Sequence, residues 1–173
     1  KNDQMAFVDP NFFSIFTLPL IEGDFKNVLA QPNTIVVSET VAKKYFGSQE
    51  ALGKVVTINS DTDYYKITGV MKDMPSNSHF HFDLLASMTG YKDATNDSWM
   101  YGGYYTYLLL KPGADIAKME QRLPGMVEKY MGPQIKQEMG LSLEQFRTKG
   151  NQLGFSLQPL PSIHLNSHTN NEL

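Results

Sequence analysis

Residues 34–70, TIVVSETVAKKYFGSQEALGKVVTINSDTDYYKITGV, carry the signals that decide the fold. Thr34 to Val37 are all β-branched, which favours a pleated strand. Ser38 is a helix N-cap residue, and Gly47 stands where a helix ends. Between them Val41, Ala42, Tyr45 and Phe46 recur at helical spacing, with Lys43 and Lys44 on the other side. The reading is a strand running into an amphipathic helix. GKVVTIN and DYYKITGVMKDM then give two more strands, joined by the polar turn SDT at 60–62.

Working outward on the amino-terminal side, QMAFV reads as a strand. DPNFFSIF reads as a short helix with Asp9 as N-cap and Pro10 at its first position. Gly23 turns the chain and Pro32 breaks it before Thr34. On the other side FDLLASM is a further strand. The stretch TGYKDATNDSWMYGG, 89–103, is polar and glycine-containing and reads as a boundary between lobes.

YYTYLLLK is apolar on both faces and predicts a central, doubly covered strand over 104–110. Ile116, Met119, Leu123, Met126, Val127 and Tyr130 then recur at helical spacing, with Pro124 predicting a break. SLEQ, 142–145, is a capping box opening a short helix, and LGFSLQPL predicts a last strand. The order of elements, without a long βα alternation, gives an α+β fold in two lobes.

Composition narrows the function. The 173 residues carry a net charge of -3, which leaves no basic footprint for nucleic acid. Cysteine is absent, so thiol nucleophiles, Cys-ligated zinc and Fe–S clusters are excluded. No stretch approaches the ~18 apolar residues of a membrane span. The chain opens at Lys1 without a signal sequence, and with its polar end NSHTNNEL this reads as a segment of a longer protein.

One constellation has metal-ligand spacing. His79, His81 and Asp83 alternate in SHFHFDLLAS, so an extended strand would point all three out of one face. That set fits a small metal-dependent hydrolase. The competing reading is a strand with Phe80, Phe82 and Leu84 buried and the polar residues wet. It is preferred, because no third or fourth ligand is in prospect. His164 and His168 share i, i+4 spacing, but no Glu follows His164 and the segment reads as a loop after Pro159 and Pro161. GKVVT lacks the upstream glycines of a phosphate loop, and Ser38 lacks the flanking glycines of a nucleophile elbow. Trp99, Met100, Tyr101 and Tyr104 form an aromatic cluster in the polar boundary, a candidate lobe junction or partner-binding surface.

Several blocks resemble a known family. FVDPNFFSIFTLPLIEGDF, IVVSETVAKKYFGSQEALGKVVTIN, YKITGVMKDMPSNSHFHFDLLAS and YTYLLLKPGADIAKMEQRLPGMVEKYM are similar to successive blocks of the periplasmic core domain of MacB/FtsX-type ABC transporter permeases. The form with NSHFHFD is most like the Bacteroidetes-type set. The resemblance implies a domain on the periplasmic side of the bacterial inner membrane, between two transmembrane helices. It implies a porter-like split βαβ lobe, 1–30 with 89–173, and an inserted Sabre-like lobe, 31–88. The domain would be non-catalytic and without cofactor, relaying ATP-driven motion from a separate cytoplasmic ATPase. Its partners would be its own membrane helices, that ATPase, and a periplasmic adaptor, lipoprotein or cell-wall enzyme. The whole transporter would be dimeric and the isolated domain monomeric.

Overall fold

A computed structural model describes residues 3–58 and 63–163. The turn at 60–62 and both His164 and His168 lie outside the described residues. The chain divides into two compact units, one running to Asn96 and the other from Asp97 onward.

The first unit is built on one mixed sheet. Its strands are β1 (Met5–Val8), β2 (Leu20–Glu22), β3 (Thr34–Ser38), β4 (Val55–Thr57), β5 (Tyr64–Met71) and β6 (Leu84–Ser87). The order is β1-β6-β3-β5-β2, and β4 pairs with β5 as well. β3 lies parallel to β5 and antiparallel to β6, and every one of its five residues is buried. β1 lies parallel to β6, in register from Met5 opposite Leu84 to Val8 opposite Ser87. The expected mixture of sheet and helices is therefore present. β1 and β2, both from within 1–30, hydrogen-bond into the sheet formed by 34–87.

Two helices follow sequence signals closely. α1 (Phe12–Ile15) begins two residues later than expected. Asp9 still prepares it, its carboxylate accepting from the Asn11 N–H at 2.9 Å and its carbonyl from the Phe12 N–H at 2.9 Å. α2 (Glu39–Phe46) starts at Ser38, whose Oγ accepts from the Val41 N–H at 3.3 Å, and stops at Gly47 with φ of 63°. α2 packs on β3 and β5. Val41, Ile35, Val37, Ala51, Ile67, Val70 and Ala86 form the core on that side, with Ala42 and Phe46 against its margin. Tyr45 departs from the expected stripe and is 61% exposed. Its hydroxyl donates to Asp3 at 2.7 Å, and Lys44 meets the same carboxylate at 2.8 Å.

A carboxylate from outside the helix also serves α2. Asp73 accepts from the Thr40 N–H at 3.0 Å and from the Thr40 hydroxyl at 2.6 Å. The Thr40 hydroxyl bond, more than any opposing burial, holds the Asp73 carboxyl below its usual 3.8. A depressed carboxylate contributes stability above its unfolded pKa and loses it as pH falls through the folded one. Asp73→Asn should therefore cost at most about 1 kcal/mol at neutral pH, since Asp73 is exposed and screened. The stability curves of variant and parent, followed by denaturant titration, should converge below the usual carboxylate range.

Above the sheet's other face the chain comes unusually close at Gly23 and Gly69. Gly23 has φ of +102°, and a Cβ there would lie 2.6 Å from the Thr68 carbonyl oxygen. The register of β3 against β5 shifts between Ile35 and Val36, so that Val36 stands opposite Gly69. A Cβ on Gly69 would lie 3.0 Å from Val28 Cγ1 and 3.4 Å from Val36 Cγ2. The Thr68 hydroxyl donates to the Val28 carbonyl and so fastens the 24–30 segment here. Gly23→Ala should cost about 1–3 kcal/mol, the strain of a left-handed non-glycine plus the clash, measured as a lower unfolding midpoint.

The second unit is helical. α3 (Ile116–Glu120) is capped by Asp115, whose carboxylate accepts from the Lys118 N–H at 2.9 Å. α4 (Leu123–Met126) holds Pro124 in its first turn, so the expected break is present. A π-helical turn, Val127–Met131, leads into α5 (Gly132–Met139). α6 (Leu143–Thr148) opens on the complete capping box: Gln145 N–H to Ser142 Oγ at 3.1 Å, and Ser142 N–H to Gln145 Oε1 at 2.8 Å. The expected strands at 104–110 and 153–160 are not present; Leu160–Ser162 forms a 3₁₀ turn instead. Leu108 and Leu109 are 58% and 68% exposed, so 104–110 is not a doubly covered strand. An apolar β-prone run becomes a central strand only where neighbouring strands flank it, and the described residues of this unit contain none.

Candidate functional site: an aromatic platform in the helical unit

The π-turn has a local cause. Pro133 has no N–H to donate, and its ring would press on the Lys129 carbonyl in a continuous α-helix. The chain widens by one residue, and the Gly132 N–H donates to the Val127 carbonyl instead. Val127, Met131 and Ile135 remain on the buried side, with Met100, Leu141, Leu143, Phe146 and Leu153 packed around them.

Tyr130 lies in that turn and carries Trp99. The two rings stack with centroids 4.4 Å apart and 8° between planes. Phe155 meets Trp99 edge-on at 6.3 Å and 70°. Lys129 Nζ sits 4.8 Å from the Tyr130 ring centre, a cation on the rim of the stack. Gln134 fixes the loop that presents Trp99. Its Oε1 accepts from the Trp99 N–H at 2.8 Å and its Nε2 donates to the Asp97 carbonyl at 3.0 Å. One amide thus replaces a pair of backbone partners on each side of Ser98. Sequence reading missed Gln134, Tyr130 and Phe155 as members of the cluster. A glutamine at i+4 from Tyr130 on the same helical run was the available hint.

The four expected site residues divide. Trp99 stays 38% exposed beside its stack, whereas Met100 turns into the core of the unit. Tyr101 and Tyr104 meet each other at 5.4 Å and 56°, both exposed. A Cβ on Gly103 would lie 2.7 Å from Tyr101 Cε1, so glycine is what lets that ring lie along the backbone. The assembly is a set of half-exposed aromatic faces on a locked loop. Half-exposed aromatic faces of this kind have the chemistry to hold apolar or planar groups.

His79, His81 and Asp83 do not form a ligand face. β6 begins only at Leu84, so the three residues lie in irregular chain rather than at alternate positions of a strand. The Asp83 carboxylate accepts from the Gln4 N–H at 2.9 Å, anchoring the entry to β1. His79 rests edge-on against Phe80 at 4.8 Å, and His81 is exposed. Among the described residues no group of three or more His, Asp or Glu is placed to hold a metal ion. The hydrolase reading is thereby left without its site.

An α+β domain with a mixed sheet, lacking among its described residues any helix long and apolar enough to cross a membrane, defines the class. The sequence profile described as the MacB-like periplasmic core domain matches residues 1–125, and the chain belongs to that family. Among solved structures it is similar to a domain ascribed to a permease from Porphyromonas gingivalis, with 28% identity and a TM-score of 0.62. That match covers 73% of this chain, and the chain spans 58% of that structure's length. The periplasmic region of MacB from Actinobacillus actinomycetemcomitans matches at 16% identity and TM-score 0.45, covering 87% of this chain and 66% of the other. The extracellular domain of the ABC-type transporter YknZ from Gram-positive bacteria matches at 16% and 0.39, over 51% and 45%. A search of curated proteins finds no match.

Gln134→Ala should release the 97–99 loop while leaving the buried face of α5 intact. The expected cost is about 1 kcal/mol. Trp99 is the only tryptophan, so its emission should shift to the red and its quenching by acrylamide should increase.

Proposed function

We propose that this chain is the extracytoplasmic part of an ABC-type permease and relays ATP-driven motion to a partner on the periplasmic side of the inner membrane. The observation that carries the reading is the family match over residues 1–125, supported by the fold shared with the P. gingivalis permease domain. The domain itself is non-catalytic, and ATP is hydrolysed on a separate cytoplasmic domain or chain. A relay must not deform under load. The sheet of the first unit suits that demand, because β3 is buried on both faces and α2 is fastened at both ends. The aromatic platform around Trp99 is the contact surface for the partner, with Tyr101 and Tyr104 beside it. The partner is an adaptor, a lipoprotein or a cell-wall enzyme, and the whole transporter works as a dimer.

The test uses the full-length permease with its ATPase, reconstituted in a bilayer. Trp99→Ala combined with Tyr130→Ala removes both faces of the stack. ATP hydrolysis should persist while its stimulation by the periplasmic partner falls at least about tenfold, the loss expected on truncating a central aromatic anchor. Full stimulation in the double variant would remove the platform from the relay.

A further inference from the structure

A second site lies in the first unit, and nothing in the relay reading uses it. A cavity of about 490 Å³ opens beside β1 and the β4–β5 hairpin, lined by Met5, Phe7, Asn33, Asp63, Tyr65 and Tyr91 among others. Phe7 stacks on Tyr91 with centroids 4.3 Å apart and 21° between planes, and Tyr65 lies 6.4 Å from Phe7 at 55°. All three rings are half-buried, so each keeps part of its surface for the cavity. The walls are held by special backbone. Asn33 has φ of 55°, and Gly90 has φ of +77° with its Cα edge against Pro32, where a Cβ would come within 2.9 Å.

The polar groups on the lining are not equivalent. Ser87 Oγ is spent on the Leu29 carbonyl at 2.7 Å. Asp63 is exposed, and its carbonyl pairs with the Ile58 N–H at 3.1 Å, which fixes the residue at the hairpin end of the cavity. Among the described residues no ion pair ties Asp63 to a cation. Its charge reaches the cavity: burial first, then Asp63, raises the Tyr65 hydroxyl above its ordinary value. Among the described residues Lys92 is the one cation on the lining, and it is exposed.

Three aromatic rings and a carboxylate on one lining are the groups that together hold an organic cation. Ring quadrupoles attract the charge and the carboxylate neutralises it. We propose that this cavity binds an organic cation, through an alkylammonium or guanidinium group held against Phe7, Tyr65 and Tyr91 with Asp63 as its counter-charge. The group arrives either as a small free amine or as the Lys or Arg side chain of a protein partner. Both share one chemistry and differ in what surrounds the cation.

The experiment is a titration of the 173-residue chain, followed by NMR at the Phe7 and Tyr91 ring protons. The probes are agmatine, a Gly-Arg-Gly peptide with blocked ends, and the same peptide with norleucine in place of arginine. Agmatine and the arginine peptide should shift the ring signals and the norleucine peptide should not. Asp63→Asn and Tyr91→Leu should each weaken binding at least about threefold, and Lys92→Ala should tighten it, because it removes a like charge. A tighter arginine peptide assigns the site to a partner side chain, and tighter agmatine assigns it to a free amine. Equal response to the norleucine peptide, no response at millimolar probe, or weakening by Lys92→Ala with no effect of Asp63→Asn would overturn the proposal.

Discussion

The first unit depends on the placement of β3 between a parallel and an antiparallel neighbour. A strand in that position has every backbone group paired and both faces covered, so it can carry an unbroken apolar run. Ile35 and Val37 face α2, and Val36 meets the 24–30 segment near Gly69. The close approach at Gly23 and Gly69 follows from this, since a covering segment without a helix has to lie directly on the pleat. The cap at Ser38 follows as well, because the strand runs straight into α2 and the first helical N–H groups need an acceptor at that point.

Much of this was legible where the signal is local. Ser38, Gly47, Asp115 and the Ser142–Gln145 box each mark a terminus through a hydrogen bond only a few residues long. Pro124 marked its break for the same reason. Reading failed where an element depends on partners distant in sequence. YYTYLLL has the composition of a central strand, yet composition does not supply flanking strands. The alternation of His79, His81 and Asp83 is equally suggestive, but a hydrogen bond to Gln4, 79 positions away, decides what Asp83 does. The Trp99 cluster was half legible: the aromatic residues stood together in sequence, while Tyr130, Gln134 and Phe155 reach it only through the fold.

The π-turn illustrates how one residue reorganises a site. Pro133 removes a single donor, and the wider turn carries Tyr130 to the position where it faces Trp99. Gln134, the next residue after that proline, then holds the loop from which Trp99 projects. The aromatic platform is thus set by backbone chemistry in the helix rather than by packing among the rings alone.

The pairing of β1 with β6 has a mechanical consequence. The two strands run parallel, so the start of β1 lies at the opposite end of the pair from the exit of β6 toward the second unit. A pull applied between those two points acts along the strands. It loads the evenly spaced hydrogen bonds from Met5–Leu84 to Val8–Ser87 together, in shear, instead of peeling them one by one as a hairpin would. Tension along this path therefore meets the summed resistance of the ladder, and the sheet edge behaves as a tie bar rather than a zipper.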